Sequence, residues 1–562
     1  MSTKVYLSGK EIQAYEFLGC HKKSNNDYIF RVFAPNASEV YLVGDFNDWQ
    51  KEKMRSYSSS LFSLSNKKAK PNDNYLYIVK TNDGEFKKLD PYSRLLNIDY
   101  ELSSVVYDDS YKFKSKTKIK KNNNMNILQV YLGNICKDKN GNYKSIRDVS
   151  NNFISYVKQN NYTHIQLLPI NEYIDYKSLG YKAISFFAIS SRYGTSDDFK
   201  YFIDNCHKNK IGVIIDLNLS EFDDHYRGLI NFDGDNLYNY PYDDIKYNYY
   251  GAVNLDISKN STKSFVKSII NFYLEEFRVD GIRFNAIENI IYWQGDINRG
   301  INQKWFDLIK ELINIISSKN AISITDFNYN DNVIYDIGFD FINLKDTRAI
   351  TKIFQENPFL RDEQRNTLEE FINNSKDFTI QGFDYILNEI EECSLPMKMW
   401  GDFDKKFRQL KTYLTLLYMI NGSKIMFLGN EISSFKTFSP FESFDNSALE
   451  NKNNKEFNKF YKDLSKIYIE MTSKNLKSKI KLMDSEGYSV YIFKKIIKDK
   501  TYLIVLNLTD INYNIDIDMN LEEIINSDSI EYGGFGNING KINKGEKIKI
   551  SQFSSAIFKE IG

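Results

Sequence analysis

The sequence predicts a multidomain α/β chain with all-β flanks: an N-terminal β-sandwich, a central (β/α)8 TIM barrel and a C-terminal β-domain. Three observations carry this. Eight short apolar runs alternate with amphipathic segments between residues 127 and 429. Strand-like pieces without such helices fill both ends. At 562 residues the chain exceeds one ordinary domain of roughly 100–250 residues. The expected limits are 1–115, 116–470 and 471–562.

In the first region, YIFRVFA (28–34) and EVYLVG (39–44) are rich in β-branched and aromatic residues and bounded by the turn-like PNAS and DFNDW. Leu61–Leu64, Tyr75–Thr81 and Glu101–Val106 extend the pattern. KFKSKTKIKKNNN (112–124) reads as a solvated basic linker, with a binding arm as the sharper alternative.

Eight runs then follow: 127–132, 164–170, 212–218, 281–286, 321–326, 339–343, 378–383 and 424–429. Continuous apolar strands separated by helices imply buried parallel strands. Segments 264–277 and 304–318 show the i, i+3, i+4 apolar spacing of helices. The insertion 219–263 is expected over the face that carries chemistry. From about 470 the chain is strand-rich again, as in YSVYIFKKI and TYLIVLNLT.

Composition narrows the function. Lys plus Arg and Asp plus Glu are 74 each, a balance that argues against nucleic acid or an acidic membrane as partner. No run of about 18 apolar residues suggests a membrane span. The start, MSTKVYLSGKEIQAYEF, has no apolar core of a secretory signal, so a cytoplasmic location is expected. Cys20, Cys136, Cys206 and Cys393 form no ligand-like spacing and only 4 His are present, so neither metal nor cofactor is expected.

Chemistry in such a barrel sits at the C-terminal ends of the strands. Those ends carry Asp216 and Asn218, Arg283 and Asn285, Thr325 and Asp326, Asp384, and Asn430 with Glu431. Arg283 and Asn285, two apart, share one strand face. A rim of carboxylates and amides suits glycoside chemistry, which needs two flanking carboxylates.

YEFLGCH (15–21), FRVFAPNASEVYLVGDFNDW (30–49) and LDPYS (89–93) resemble the glycan-binding sandwich module (family 48) of glycogen (1,4-alpha-glucan) branching enzymes. Residues 163–216, FDGDNLYNY (232–240), VDGIRFNAIENIIY (279–292) and KIMFLGNEI (424–432) continue the likeness in order. The chain thus resembles the glycogen branching enzyme family of the α-amylase superfamily, family 13 glycoside hydrolases, over nearly its whole length.

The resemblance implies an α-glucan partner and a retaining mechanism. It would place the nucleophile at Asn285, the acid/base at Ile322 beside Ser323, and a transition-state-stabilising carboxylate at Asp384. Arg283 and Asp216 match the family, and Tyr181 matches its sugar-stacking tyrosine. Independently of the likeness, Trp49 is an aromatic in a turn, either a sugar-stacking platform, since an indole face suits a pyranose face, or an ordinary turn residue. Gln129, Tyr131, Lys182, Glu221 and Phe383 depart from it. An amide cannot form the glycosyl ester. The leading expectation is therefore a branching-enzyme-like protein with a degenerate site that keeps glucan binding and acts beside glycogen-metabolism enzymes. Two alternatives stand. One is an active glucan transferase or hydrolase with relocated carboxylates among Asp326, Asp384, Glu221 and Glu288. The other is a structural protein whose barrel mouth is filled by Phe383 and Tyr131.

Overall fold

The computed structural model describes residues 3–561 apart from 24–26, 59, 100, 118, 120, 250, 328–332, 345–346, 390–392, 474–475 and 486–487. Its centre is a closed barrel of eight parallel strands. These are β1 (Asn126–Val130), β2 (His164–Leu167), β3 (Gly212–Leu217), β4 (Gly281–Phe284), β5 (Ile322–Phe327), β6 (Phe341–Leu344), β7 (Thr379–Phe383) and β8 (Ser423–Phe427). All eight expected runs supply a strand. Parallel strands covered by helices are buried on both faces, which is why these runs lack polar alternation; β1, β2, β3, β4 and β8 are buried at every position.

Helices between the strands start where capping chemistry permits. Ser196–Lys208 opens on a capping box: the Thr195 hydroxyl accepts from the Asp198 amide, and the Asp198 carboxylate accepts from the Thr195 amide. The floor of the barrel is an apolar layer of Ile127, Ile214, Ile322, Ile324, Phe341, Ile380 and Ile425.

Two antiparallel sheets form the N-terminal region. One orders residues 19–22, 28–33, 61–66 and 55–58; the other is built on 39–44, 74–81 and 103–105. Phe30 packs edge-on against Tyr75 across them, ring centroids 5.0 Å apart. The insertion after β3 reaches this module as well as the rim. Lys88 Nζ donates to the carbonyls of Tyr226 (2.7 Å) and Ile230 (2.6 Å), and Arg227 to that of Leu102 (2.8 Å). The basic linker is not free of the barrel: the Asp204 carboxylate accepts from the amides of Lys114 and Ser115, each at 2.8 Å.

At the C-terminal end, a six-stranded sheet and a two-stranded sheet enclose a second core of Ile492, Val505, Ile517, Ile548 and Phe558. Among the described residues no helix is long and apolar enough to cross a membrane.

Candidate functional site

The barrel mouth has a polar half and an aromatic half. The polar half is organised by Arg283, fully buried on β4. Its Nη1 donates to Asp216 Oδ2 on β3. Its Nε and Nη2 take both oxygens of Asp326 at the end of β5, at 2.9 and 2.5 Å. Adjacent parallel strands make this possible: Asp216 pairs in register with Arg283, and Phe284 with Thr325, which sets Asn285 and Asp326 at one level.

Burial pushes Asp216 up to about 6 against the opposing pull of Arg283. Arg283 loses hydration on burial, yet its two carboxylates hold it firmly protonated. Gln166 Nε2 (2.9 Å) and the Tyr181 hydroxyl (3.0 Å) also donate to Asp216. Asn343 on β6 donates through one nitrogen to Asp326 Oδ1 (3.3 Å) and Asp384 Oδ2 (3.4 Å). Asp384 caps the short helix Tyr385–Glu389 through the Leu387 amide, and burial raises its carboxyl above the usual range.

Asn285 stands one residue past β4, half-buried, its amide N–H donating to the Leu217 carbonyl at 3.1 Å. Asn285, Asp216, Arg283 and Asp384 therefore lie on one rim. Ile322 does not. It opens β5 in the apolar floor, paired in register with Gly281. Side chains of a strand alternate, so Ile322, Ile324 and Asp326 point to one face, the two isoleucines in the apolar floor and Asp326 at the rim. The residue of β5 at rim level is Asp326, four positions further on, and a carboxylate at Ile322 would be a charge buried in an apolar layer.

The remaining candidates separate cleanly. Glu221 is buried behind the rim, with Oε1 accepting from Asn218 Nδ2 at 2.8 Å; burial lifts its carboxyl to about 7. Lys182 turns away to Asp224 (2.8 Å). Glu431 is fully buried and accepts from the Tyr156 hydroxyl and the Gly429 amide. Phe383 leaves the mouth to pack on Tyr413 at 4.8 Å. Trp49 is 39% exposed in the N-terminal module, held by an Nε1–H bond to Asp45 (3.0 Å).

The aromatic half comprises Tyr131, Leu168, Leu179, Tyr385 and Phe427, with Tyr181 and Phe438 packed against them. Tyr385 lies nearly parallel to Tyr181, centroids 5.8 Å apart at 23°. Gln166, Asn343 and Tyr385 were not singled out from the sequence. Strand parity marks Gln166 and Asn343 as inward-facing, but their carboxylate partners come from other strands.

Comparison with known proteins places this geometry. Residues 17–93 match the model for carbohydrate-binding module 48 (isoamylase N-terminal domain). The chain is similar in fold to pullulanase type I of Bacillus subtilis, solved with maltose (TM-score 0.76, 13% identity, 97% of this chain and 85% of that one). It is similarly close to a putative alpha amylase from Salmonella typhimurium (TM-score 0.73, 14% identity, 97% and 100%). Barrel, module and rim thus define an α-amylase-type barrel protein with a carbohydrate-binding module. Its sequence is 30% identical to the 1,4-alpha-glucan branching enzyme GlgB of Fusobacterium nucleatum subsp. nucleatum over 84% of this chain and 80% of that one. It is 29% identical to GlgB 2 of Clostridium perfringens over 96% and 90%. The chain belongs to the 1,4-alpha-glucan branching enzyme family.

Proposed function

We propose that this chain binds α-glucan and has lost efficient glycosyl transfer, because its β4 nucleophile position is the amide Asn285. That residue is the observation carrying the reading. It lies beside Arg283 at the level where a carboxylate would attack, and an amide cannot form the covalent glycosyl intermediate. Asp326, at rim level on β5, gives both oxygens to the Arg283 guanidinium, which ties its carboxylate to the arginine. Trp49, Tyr181, Asp216 and Arg283 are the proposed glucan contacts, and Asp384 is a rim carboxylate left from the same chemistry. The chain would hold glucan for active glycogen-metabolism enzymes. Its four free cysteines suit the reducing cytoplasm.

The test is a branching assay on amylose with the natural protein, Asn285→Asp, and Asn285→Asp with Asp326→Glu. Branched product from a variant alone is the expected result. A natural protein working at the rate of an ordinary branching enzyme overturns the reading. Co-sedimentation with glycogen tests binding, and a chain that stays in the supernatant removes that half.

One observation favours a second reading, an active enzyme with relocated groups. Asp326 and Asp384 share one Asn343 nitrogen, at 3.3 and 3.4 Å, which is compatible with the about 5–5.5 Å carboxyl separation of a retaining pair. Under that reading the natural protein is active and Asp384→Asn abolishes the activity.

A further inference from the structure

The segment 433–446, between the turns Asn430–Ile432 and Ser447–Glu450, has no helix or strand of its own. It crosses the aromatic half of the mouth. Phe438 meets Phe427 edge-on at 5.0 Å (87°) and Tyr131 at 6.2 Å (90°). Phe441, 57% exposed, lies over Tyr176 at 6.2 Å and 27°.

Its ends are packed, with Phe435 stacked on Phe403 at 5.1 Å and Phe444 edge-on to Tyr156 at 5.6 Å, while its middle is tied by few hydrogen bonds. Asn134, just past β1, donates from one side-chain nitrogen to the carbonyls of Ser439 (2.8 Å) and Glu442 (2.5 Å) and accepts from the Phe444 amide (2.8 Å). Lys137 adds a bond to the Phe441 carbonyl at 3.0 Å. The space beneath, lined by Asn134, Ser394, Phe427 and Phe438, is only ≈ 70 Å³. Pockets that take small ligands are about 300–1,000 Å³. Phe438 thus covers both Phe427 and Tyr131 in this closed arrangement. Four hydrogen bonds to two neighbouring residues, Asn134 and Lys137, fasten the segment to the β1 side of the mouth.

We infer that 433–446 is a strap that shuts the aromatic half of the barrel mouth, with Phe438 as its plug and Asn134 as its latch, and that a linear α-glucan enters only when it lifts. The inference rests on the proposed glucan binding and adds its regulation. A strap closed most of the time weakens apparent affinity by the fraction of time it is open. Loosening plug or latch should then tighten binding, whereas residues with a merely structural role would weaken it or leave it unchanged.

The experiment is isothermal titration of the full chain with maltoheptaose, comparing parent, Phe438→Ala and Asn134→Ala, all carrying Trp49→Ala to silence the module. Loss of an aromatic contact in Phe438→Ala, or of the Asn134 side-chain hydrogen bonds in Asn134→Ala, corresponds to about three- to tenfold tighter binding in each variant. Asn134→Ala removes no ring, so it reports on the strap even if Phe438→Ala disturbs folding. In the parent, saturating maltoheptaose should speed amide exchange across 433–446. Binding by the parent that neither variant improves, with unchanged exchange, overturns the strap and leaves the glucan reading standing. No maltoheptaose binding by any of the three, with no glycogen co-sedimentation, overturns both.

Discussion

Arg283 carries more of the site than any other side chain. A buried cation between Asp216 and Asp326 is tolerated because each charge has a partner; removing it strands two carboxylates. Arg283→Ala is expected to destabilise the chain by about 3–5 kcal/mol in urea unfolding. Glu221 offers a contrasting residue-scale test. Burial raises its carboxyl from 4.5 to about 7, so between those values the folded state binds more protons than the unfolded one. Stability contributed by this group therefore falls as pH rises from about 4.5 to 7 and stays low above. Glu221→Gln keeps an oxygen for Asn218 and cannot ionise. Relative to the parent it should gain about 1–3 kcal/mol at pH 8 and little at pH 4.5. Equal differences at both pH values would refute that origin.

At the scale of elements, strand register decides what faces the mouth. The family likeness puts the acid/base position on Ile322, yet Ile322 pairs with Gly281 at the floor while Asp326 stands at the rim. Position along a strand, not local likeness, sets that level. The closure of the barrel shows the same dependence. Gly382 in β7 has φ +151°, and a Cβ there would meet the Ile425 carbonyl oxygen of β8 at 1.9 Å. Gly382→Ala must push the two strands apart, at a cost of about 1–3 kcal/mol or more. A melting temperature unchanged by this substitution would mean that the β7–β8 approach is not tight in solution.

Across the whole molecule the regions share cores. Tyr15 and Tyr92 of the N-terminal region pack on Phe272, Phe187 and Phe265 of the barrel layer, with centroids 4.9–5.5 Å apart. The Ala14 amide donates to Ser268 at 3.1 Å and Lys267 Nζ to the Gly9 carbonyl at 2.7 Å. An excised 1–115 fragment would expose this aromatic face. It is expected to self-associate or unfold, and the full chain to melt cooperatively through both regions, as calorimetry would show. A fragment that is monomeric and as stable as the full chain would contradict the shared core.

The sequence by itself determined the eight strands, the β-rich flanks and the family likeness, because buried parallel strands leave continuous apolar runs with polar residues where they end. Only the tertiary structure decided that Ile322 lies in the floor, that Asp326 stands beside Asn285, that Phe383 turns outward, and that Phe438 reaches across to Tyr131. Those outcomes depend on register between strands far apart in the chain and on which loop folds over which end. Local composition does not encode either.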